Sequence, residues 1–247
     1  MSTDSAIMLR RNFRHTLRNP TAVFNAVLLP VVIMLMFVCV IGGAFHVGVD
    51  YVDYATPGMI VLAICYGLSA TALAVNSDMT TGIINRFKVM DISRGAVLNA
   101  QVIASTLRSL VAVAAIIGVA FALGFRPSAS FPGWLGAIGF IVVVCAATSW
   151  LTVALGLAAK TPESAGMAIV PLILLPFLSS AIVPADTMRA GFWQFAEYQP
   201  FTPIIETLRG LLTGQPSAGY AIGALAWCAG IGLAGYLWAL ATFARRA

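Results

Sequence analysis

Long apolar runs separated by short polar segments dominate the pattern along the chain. Each run approaches the roughly 20 residues that a helix needs to cross the hydrocarbon layer of a bilayer. The runs are continuous and lack the alternating segments of about ten residues that mark a transmembrane barrel. We therefore predict an all-α membrane protein whose six transmembrane helices lie at Ala22–Ile41, Thr56–Val75, Val97–Leu123, Trp134–Ala158, Ala165–Val183 and Ala221–Phe243.

Composition agrees with a membrane protein. Hydrophobic residues make up 60% of the 247 residues and charged residues 9%, whereas an ordinary soluble domain has about 25% charged residues. The four cysteines lie inside apolar runs without CxxC spacing, so they suggest neither a disulfide framework nor a metal site. The only histidines, His15 and His46, fall at opposite membrane faces, so we predict no metal site and no catalytic residues.

The basic residues set the orientation of the predicted spans. Six crossings place both ends of the chain on one side, and Lys and Arg favour the cytoplasmic side. One side carries three basic residues, Arg126, Arg189 and Arg209, and Arg108 lies inside the third span. The other side, with both termini, carries ten: Arg10, Arg11, Arg14, Arg18, Arg86, Lys88, Arg94, Lys160, Arg245 and Arg246. Both termini are therefore predicted to be cytoplasmic, and the charge of +5 reflects orientation, with no nucleic-acid partner.

Two further polar stretches have helical character. Residues 1–20 are predicted to form an amphipathic helix along the cytoplasmic surface, because arginines and apolar residues recur there at helical spacing on separate faces. The outer connection, residues 184–219, is rich in Trp, Tyr, Phe and Pro, which is typical of short re-entrant or interfacial helices. Within it Glu206 precedes Arg209 by three residues, and we predict a solvated or interfacial ion pair.

A polar insert, Ser77–Gly95, separates the second and third spans and carries five charged residues. Ile83, Phe87 and Met90 follow helical spacing and would share one apolar face. We predict a short amphipathic helix on the cytoplasmic side. Its apolar face must be buried in the membrane surface, against its own bundle or in a groove of a partner protein.

Four pieces of the chain carry a family resemblance, in the order "LRRNFRHTLRNP", "DMTTGIINRFKVMDISRG", "PLILLPFLSSAIVPADTM" and "QPFTPIIETLRGLLTG". Together they resemble the permease subunits of type-2 ABC exporters, in particular the daunorubicin-resistance-like branch of drug exporters. The second piece keeps Gly82, Arg86 and an apolar residue, Phe87, but it lacks the family's threonine, second acidic residue and proline. The resemblance implies that residues 1–247 form a single transmembrane domain of a multi-pass protein in the bacterial plasma membrane.

The resemblance also implies partners. The insert, residues 77–95, would be a coupling helix that docks in a groove of a cytoplasmic ABC ATPase subunit. Two such ATPases would serve a pair of permeases, and we take the second permease to be an identical chain. The implied coupling residues are the apolar anchors and their neighbours: Gly82, Ile83, Arg86, Phe87, Lys88 and Met90.

The chain lacks the phosphate-binding loop GxxxxGK[ST], and "GLAAKT" at Gly156–Thr161 lacks two of its glycines. We therefore expect the chain to bind no cofactor and not to be an enzyme, with ATP and Mg bound by the partner subunit. No acidic residue falls in the middle of a predicted span, which disfavours a proton-coupled carrier.

Arg108 interrupts the apolar third span, where a lone arginine costs about 2.5–3.5 kcal/mol on insertion scales. Two interpretations remain open: the side chain reaches toward the cytoplasm beside Ser105 and Thr106, or it lines an entry cavity for an anionic or amphiphilic cargo. If the family's arrangement holds, Ser69, Thr71, Ser179 and Ser180 would line the seam with the permease mate. The candidate substrate-pathway residues are Tyr66, Ser69, Arg108, Phe177 and Ser179.

The leading hypothesis is the permease subunit of an ATP-driven exporter for hydrophobic or amphiphilic drug-like molecules, a multidrug-efflux function that would confer antibiotic resistance. The alternatives are a lipid or glycolipid exporter, a secondary transporter, and a non-transporting membrane scaffold or sensor.

Overall fold

The computed structural model describes residues 20–44, 48–80, 94–189 and 191–246. Among them it has eight α-helices and no strand, in agreement with the all-α prediction. The helices are α1 (Pro20–Leu35, continued by a π-helical turn, Met36–Ile41), α2 (Tyr51–Thr80), α3 (Arg94–Ala122), α4 (Phe131–Ala158), α5 (Pro162–Leu174), α6 (Phe192–Tyr198), α7 (Phe201–Thr213) and α8 (Ala218–Arg246).

The length and polarity of these helices define a multi-pass membrane fold. Within the described residues, four helices are long and apolar enough to cross a membrane: Tyr51–Thr80, Leu98–Ala122, Phe131–Ala158 and Ala218–Arg245. Two shorter apolar stretches, Val27–Val40 and Pro162–Leu178, fall at the predicted first and fifth spans. The α-helix in the fifth span stops at Leu174, and a 3-10 turn, Leu175–Leu178, follows it. Pro176, which has no N–H for a further helical bond, lies in this turn.

Helix α2 forms the centre of the bundle, with α1, α3, α4 and α5 around it. In its most apolar part 72% of the residues are buried, against 33% for α3 and 22% for α8. Helix α8 packs on the outside, mainly against α4 and α7. Of the four long helices, the one at the predicted second span is therefore the most enclosed by protein, and the one at the predicted sixth span is the least enclosed.

Close contact between α4 and α8 depends on a glycine. A Cβ added to Gly235 would lie 2.5 Å from the backbone nitrogen of Leu151, so only glycine fits there. One residue further on, Tyr236 packs edge-on against Trp150, with ring centroids 4.9 Å apart and an interplanar angle of 89°. Small residues that let two backbones approach are a common means of helix association in lipid, where there is no hydrophobic drive to pack.

The start of α5 is encoded locally. Thr161 is the N-cap, and its hydroxyl accepts a hydrogen bond from the backbone nitrogen of Ser164 at 3.2 Å. The Ser164 hydroxyl in turn accepts one from the backbone nitrogen of Thr161, and Pro162 occupies the first turn. This reciprocal capping satisfies two backbone donors that the helix itself leaves without partners.

Candidate functional site

The residues predicted to contact an ATPase lie outside the described residues: Gly82, Ile83, Arg86, Phe87, Lys88 and Met90. The predicted amphipathic helix of residues 1–20 lies outside them as well, except for Pro20, the first residue of α1. The structure does describe the two helices that the polar insert connects. Helix α2 ends at Thr80 and α3 begins at Arg94, so the base of the insert is defined on both sides.

Side-chain hydrogen bonds tie this base to the bundle. The Asn76 amide, fully buried near the end of α2, donates to the carbonyl oxygens of Gly156 at 3.3 Å and Ala159 at 2.8 Å. The Gln101 amide of α3 donates to the Asp78 carboxylate of α2 at 2.7 Å. Sequence reasoning missed Asn76 and Gln101, because their partners lie 80, 83 and 23 residues away. Three helices, α2, α3 and α4, are therefore joined where the insert is attached.

Arg108 joins a second polar cluster at the α2–α3–α4 contact. Its guanidinium donates to the Thr71 hydroxyl at 3.2 Å. The Thr71 and Ser105 hydroxyls are 2.8 Å apart, and the Ser149 hydroxyl of α4 donates to Ser105 at 2.9 Å. Thr71, Ser105 and Ser149 are buried. Arg108 and Ser105 thus share a cluster through Thr71, a residue that the sequence did not connect to either of them.

The hydrogen bond from Arg108 to Thr71 runs laterally between two helices. Arg108 and Thr71 each lie seven residues, about 10 Å of helix rise, beyond the Gln101–Asp78 hydrogen bond on their own antiparallel helices. The two residues are therefore level with each other in the bundle. The structure shows a lateral tie between α3 and α2, and both interpretations drawn from the sequence stay open.

We expect Arg108→Ala and Thr71→Val to lose overlapping rather than additive stability, with a coupling energy of about 0.5–1.5 kcal/mol. The reason is that each variant removes one end of the same interhelical hydrogen bond. Thermal unfolding of both single variants and the double variant in detergent measures this energy. If Arg108→Ala changes the apparent affinity for cargo while Thr71→Val does not, the arginine contacts cargo and the tie is secondary.

An open strip runs along the otherwise buried helix α2. At least partly exposed residues recur there at steps of three and four, on one helical face: Tyr66, Ser69, Ala70, Leu73, Ala74 and Ser77. Leu73 is 44% exposed, whereas its neighbour Ala72 is fully buried. Two predicted pathway residues, Tyr66 and Ser69, thus share this face. We call these six residues the α2 strip.

Other predicted seam residues lie inside the protomer. Ser179 is fully buried; its hydroxyl donates to the Pro176 carbonyl and accepts from the backbone nitrogen of Ala181 at 3.2 Å. Ser180 is 1% exposed, and so is Thr71. Phe177 is half-buried and packs against the main core. Ser179, Ser180 and Thr71 therefore do not face an open seam in this structure, because local and interhelical contacts enclose them.

Arg209 of α7 organises the opposite end of the bundle. Its guanidinium pairs with Glu206, donates to the backbone carbonyl of Tyr54 at 3.1 Å and donates to that of Ser180 at 2.9 Å. It also lies over the Tyr54 ring, 3.9 Å from the centroid. The Tyr54 hydroxyl donates to the Ser180 carbonyl at 3.0 Å. We call Tyr54, Ser180, Glu206 and Arg209 the outer cluster.

The predicted ion pair is therefore present, but it is not simply solvated. The side chains of Arg209 and Glu206 are only 13% and 22% exposed. The cluster links three elements that are separate in the chain: α2, α7 and the segment that follows α5. It closes the bundle at the end away from the polar insert.

Comparison with known proteins agrees with this architecture. A model of the ABC-2 type transporter family matches residues 4–213. The chain is 30% identical over 216 residues to the daunorubicin resistance ABC transporter permease protein DrrB1 of Streptomyces coeruleorubidus, covering 87% of this chain and 76% of that protein. It is 29% identical over 222 residues to the probable doxorubicin resistance ABC transporter permease protein DrrC of Mycobacterium tuberculosis H37Rv, covering 87% and 78%.

These matches establish the class of protein: a multi-pass helical membrane protein of the permease type. The chain belongs to the ABC-2 type transporter family. The family resemblance inferred from the four sequence pieces is thereby confirmed, including its drug-exporter branch.

Proposed function

We propose that this chain is the permease subunit of an ATP-driven exporter that moves hydrophobic or amphiphilic, drug-like molecules out of the cell by alternating access. The drug class is suggested by the names of its relatives, which are daunorubicin and doxorubicin resistance permeases. The structural observation that supports it most is the joined base of the polar insert, where Asn76 and the Gln101–Asp78 pair link three helices. A force applied to the insert would be passed to α2, α3 and α4 together.

The partner that applies this force is a cytoplasmic ABC ATPase, present in two copies, which binds the ATP and Mg. Ile83, Phe87 and Met90 would be the apolar anchors in its groove, and Arg86 and Lys88 would act on the rim. Gly82 would provide backbone freedom where the insert leaves α2. No cofactor is assigned to the permease itself.

The proposed topology has six spans in one transmembrane domain, residues 1–247, of the bacterial plasma membrane. The apolar stretches Val27–Val40 and Pro162–Leu178 would be its first and fifth spans. Both termini and the insert would be cytoplasmic, which places the outer cluster and helices α6 and α7 at the external face. Residues 1–20 would lie along the cytoplasmic surface.

A second, identical permease chain would cover the α2 strip. The strip is open along one face of the most enclosed of the long helices, and four of its six residues are small: two alanines and the serines Ser69 and Ser77. Cargo would pass between the two copies, along Tyr66 and Ser69. Phe177 would add aromatic surface near the outer end, whereas Arg108 and Ser179 would hold the path's walls in place.

Co-purification with an ATPase, followed by cargo-stimulated ATP hydrolysis, tests this function. The complex is reconstituted in proteoliposomes, and daunorubicin is the probe. Stimulated hydrolysis with drug accumulation on the far side supports the exporter. An ATPase that binds without stimulation by any compound indicates a scaffold or sensor, and stimulation by lipid or glycolipid alone indicates a lipid exporter. Efflux that collapses with the proton gradient while ATP is intact indicates a secondary transporter.

A further inference from the structure

A cavity of about 380 Å³ opens between α6, the start of α7 and the start of α8. Its walls include Glu197, Tyr198, Pro203, Tyr220 and Trp227. This volume is within the range of small-molecule sites, which combine aromatic walls with a few polar groups. The cavity is distinct from the α2 strip and from the outer cluster.

The cavity owes its shape to a glycine between two aromatic residues. Tyr220, Gly223 and Trp227 recur at steps of three and four on one face of α8. A Cβ added to Gly223 would lie 3.7 Å from the Cβ of Pro203, an ordinary contact, so the glycine is not required for helix packing. Gly223 lines the cavity together with Tyr220 and Trp227, and a Cβ at this position would meet no other atom within 4 Å than that of Pro203.

The polar group of the cavity is a carboxylate. Glu197 accepts a hydrogen bond from the Tyr220 hydroxyl at 2.9 Å, which holds one carboxylate oxygen against α8. Among the described residues the one ion pair within 4 Å is that of Glu206 and Arg209, so no Lys or Arg side chain forms an ion pair with Glu197. Arg209 is close enough to act on Tyr220, but Glu206, its partner, acts on Tyr220 in the opposite sense. The aromatic side chains of Tyr198, Tyr220 and Trp227 line the same cavity. A carboxylate attracts an organic cation by its charge, and aromatic side chains beside it can add cation–π contact.

We propose that this cavity binds the ammonium headgroup of a membrane phospholipid. The cavity lies at the start of α8, a membrane-length helix with only 22% of its most apolar part buried inside the protein. Trp and Tyr side chains are favoured at the membrane interface, where such a helix ends. Exposed apolar residues in the same turns of α8, Ile222 and Leu225, offer a surface for the acyl chains. With the proposed topology the bound lipid would belong to the outer leaflet, but the binding chemistry does not depend on that topology.

The full chain is placed in nanodiscs with equal amounts of phosphatidylethanolamine and phosphatidylglycerol, and the lipids that stay bound are identified by native mass spectrometry. We expect the protein to enrich phosphatidylethanolamine. Glu197→Gln, which removes the charge but keeps the size, should reduce the enrichment at least fivefold. Gly223→Leu, which fills the cavity without a change in charge, should do the same. Glu163→Gln, the same change at an exposed carboxylate of α5, should leave it unchanged.

Several results would overturn the proposal. These are no enrichment in the unchanged protein, or equal enrichment in Glu197→Gln and Glu163→Gln. Hexyltrimethylammonium provides a further arm: displacement of phosphatidylethanolamine by this cation supports a shared ammonium site. Binding of the cation at Glu197 without retained lipid shows that the cavity takes a free ammonium compound, and the lipid assignment fails. Transport is not measured, so none of these results bears on the exporter function.

Discussion

Replacing Arg209 with alanine is expected to lower the free energy of unfolding by about 3 kcal/mol. This is the largest loss of stability that we expect from removing one charged side chain. The change removes the hydrogen bonds from the guanidinium to two backbone carbonyls, those of Tyr54 and Ser180, of which the second keeps the Tyr54 hydroxyl as a donor. It also leaves the half-buried Glu206 carboxylate without its cation. Bonds to a charged donor are the stronger kind, and leaving one partner unpaired costs more than the bond itself contributes.

Thermal unfolding in detergent or nanodiscs measures this loss. Arg189→Ala is the matched control, because Arg189 is an exposed arginine in the same connection, residues 184–219, that contains Arg209. Arg209→Lys keeps the charge but loses the planar fork that reaches three acceptors at once, so its loss should lie between those of the two alanine variants. If Arg209→Ala and Arg189→Ala unfold at the same temperature, the outer cluster does not hold the bundle together.

The positions of the long helices could be predicted from sequence because bilayer thickness imposes a length on every apolar run. The residues at which these helices begin and end could not be predicted in this way. The predicted second span, Thr56–Val75, lies inside a longer helix that begins at Tyr51 and ends at Thr80. The added turns contain Asp53 and Asp78, whose polarity hides helical structure from a hydropathy pattern. Each carboxylate has a bonding partner in the structure, the backbone nitrogen of Arg126 for Asp53 and Gln101 for Asp78.

The environment of the polar residues depended on contacts that a sequence pattern does not contain. The spacing of Glu206 and Arg209 predicted their pairing correctly, because three residues is one helical turn. The same spacing says nothing about Tyr54, which is 155 residues from Arg209, or about Ser180, which is 29 residues away. The burial of Ser179 had a local cause, the turn at Pro176, but the pattern of hydroxyls alone resembled a lined path.

The residues of the α2 strip show how far the proposed cargo pathway could be predicted from sequence. The sequence predicts Tyr66 and Ser69 as pathway residues because they are aromatic or polar at depth in a span, and both lie on the open face. Thr71, two residues further on, points to the opposite side and bonds to Ser105. A difference of two residues is about 200° around a helix, so the choice between the two faces requires knowing where the neighbouring helices lie.

Replacing Phe87 with aspartate is expected to weaken ATPase association by about 100-fold and to abolish efflux, while the permease still inserts in the membrane. Phe87 is the central apolar residue of the predicted coupling helix, and truncation of a buried aromatic anchor costs an interface about 2–4 kcal/mol. Aspartate adds a charge that must lose its water in an apolar groove. Pull-down of the ATPase and drug efflux from proteoliposomes measure the two effects.

Lys88→Ala is the matched control, since Lys88 is next to Phe87 but belongs to the predicted polar rim. A rim charge acts mainly on the rate of association and its salt dependence, so this variant should keep efflux and lose less than tenfold in affinity. Full efflux by Phe87→Asp would contradict docking and favour a helix that rests on lipid. Lost efflux with unchanged ATPase binding would show that the insert transmits motion without anchoring the partner. The residues to vary next would then be Asn76, Asp78 and Gln101, which join the base of the insert to the bundle.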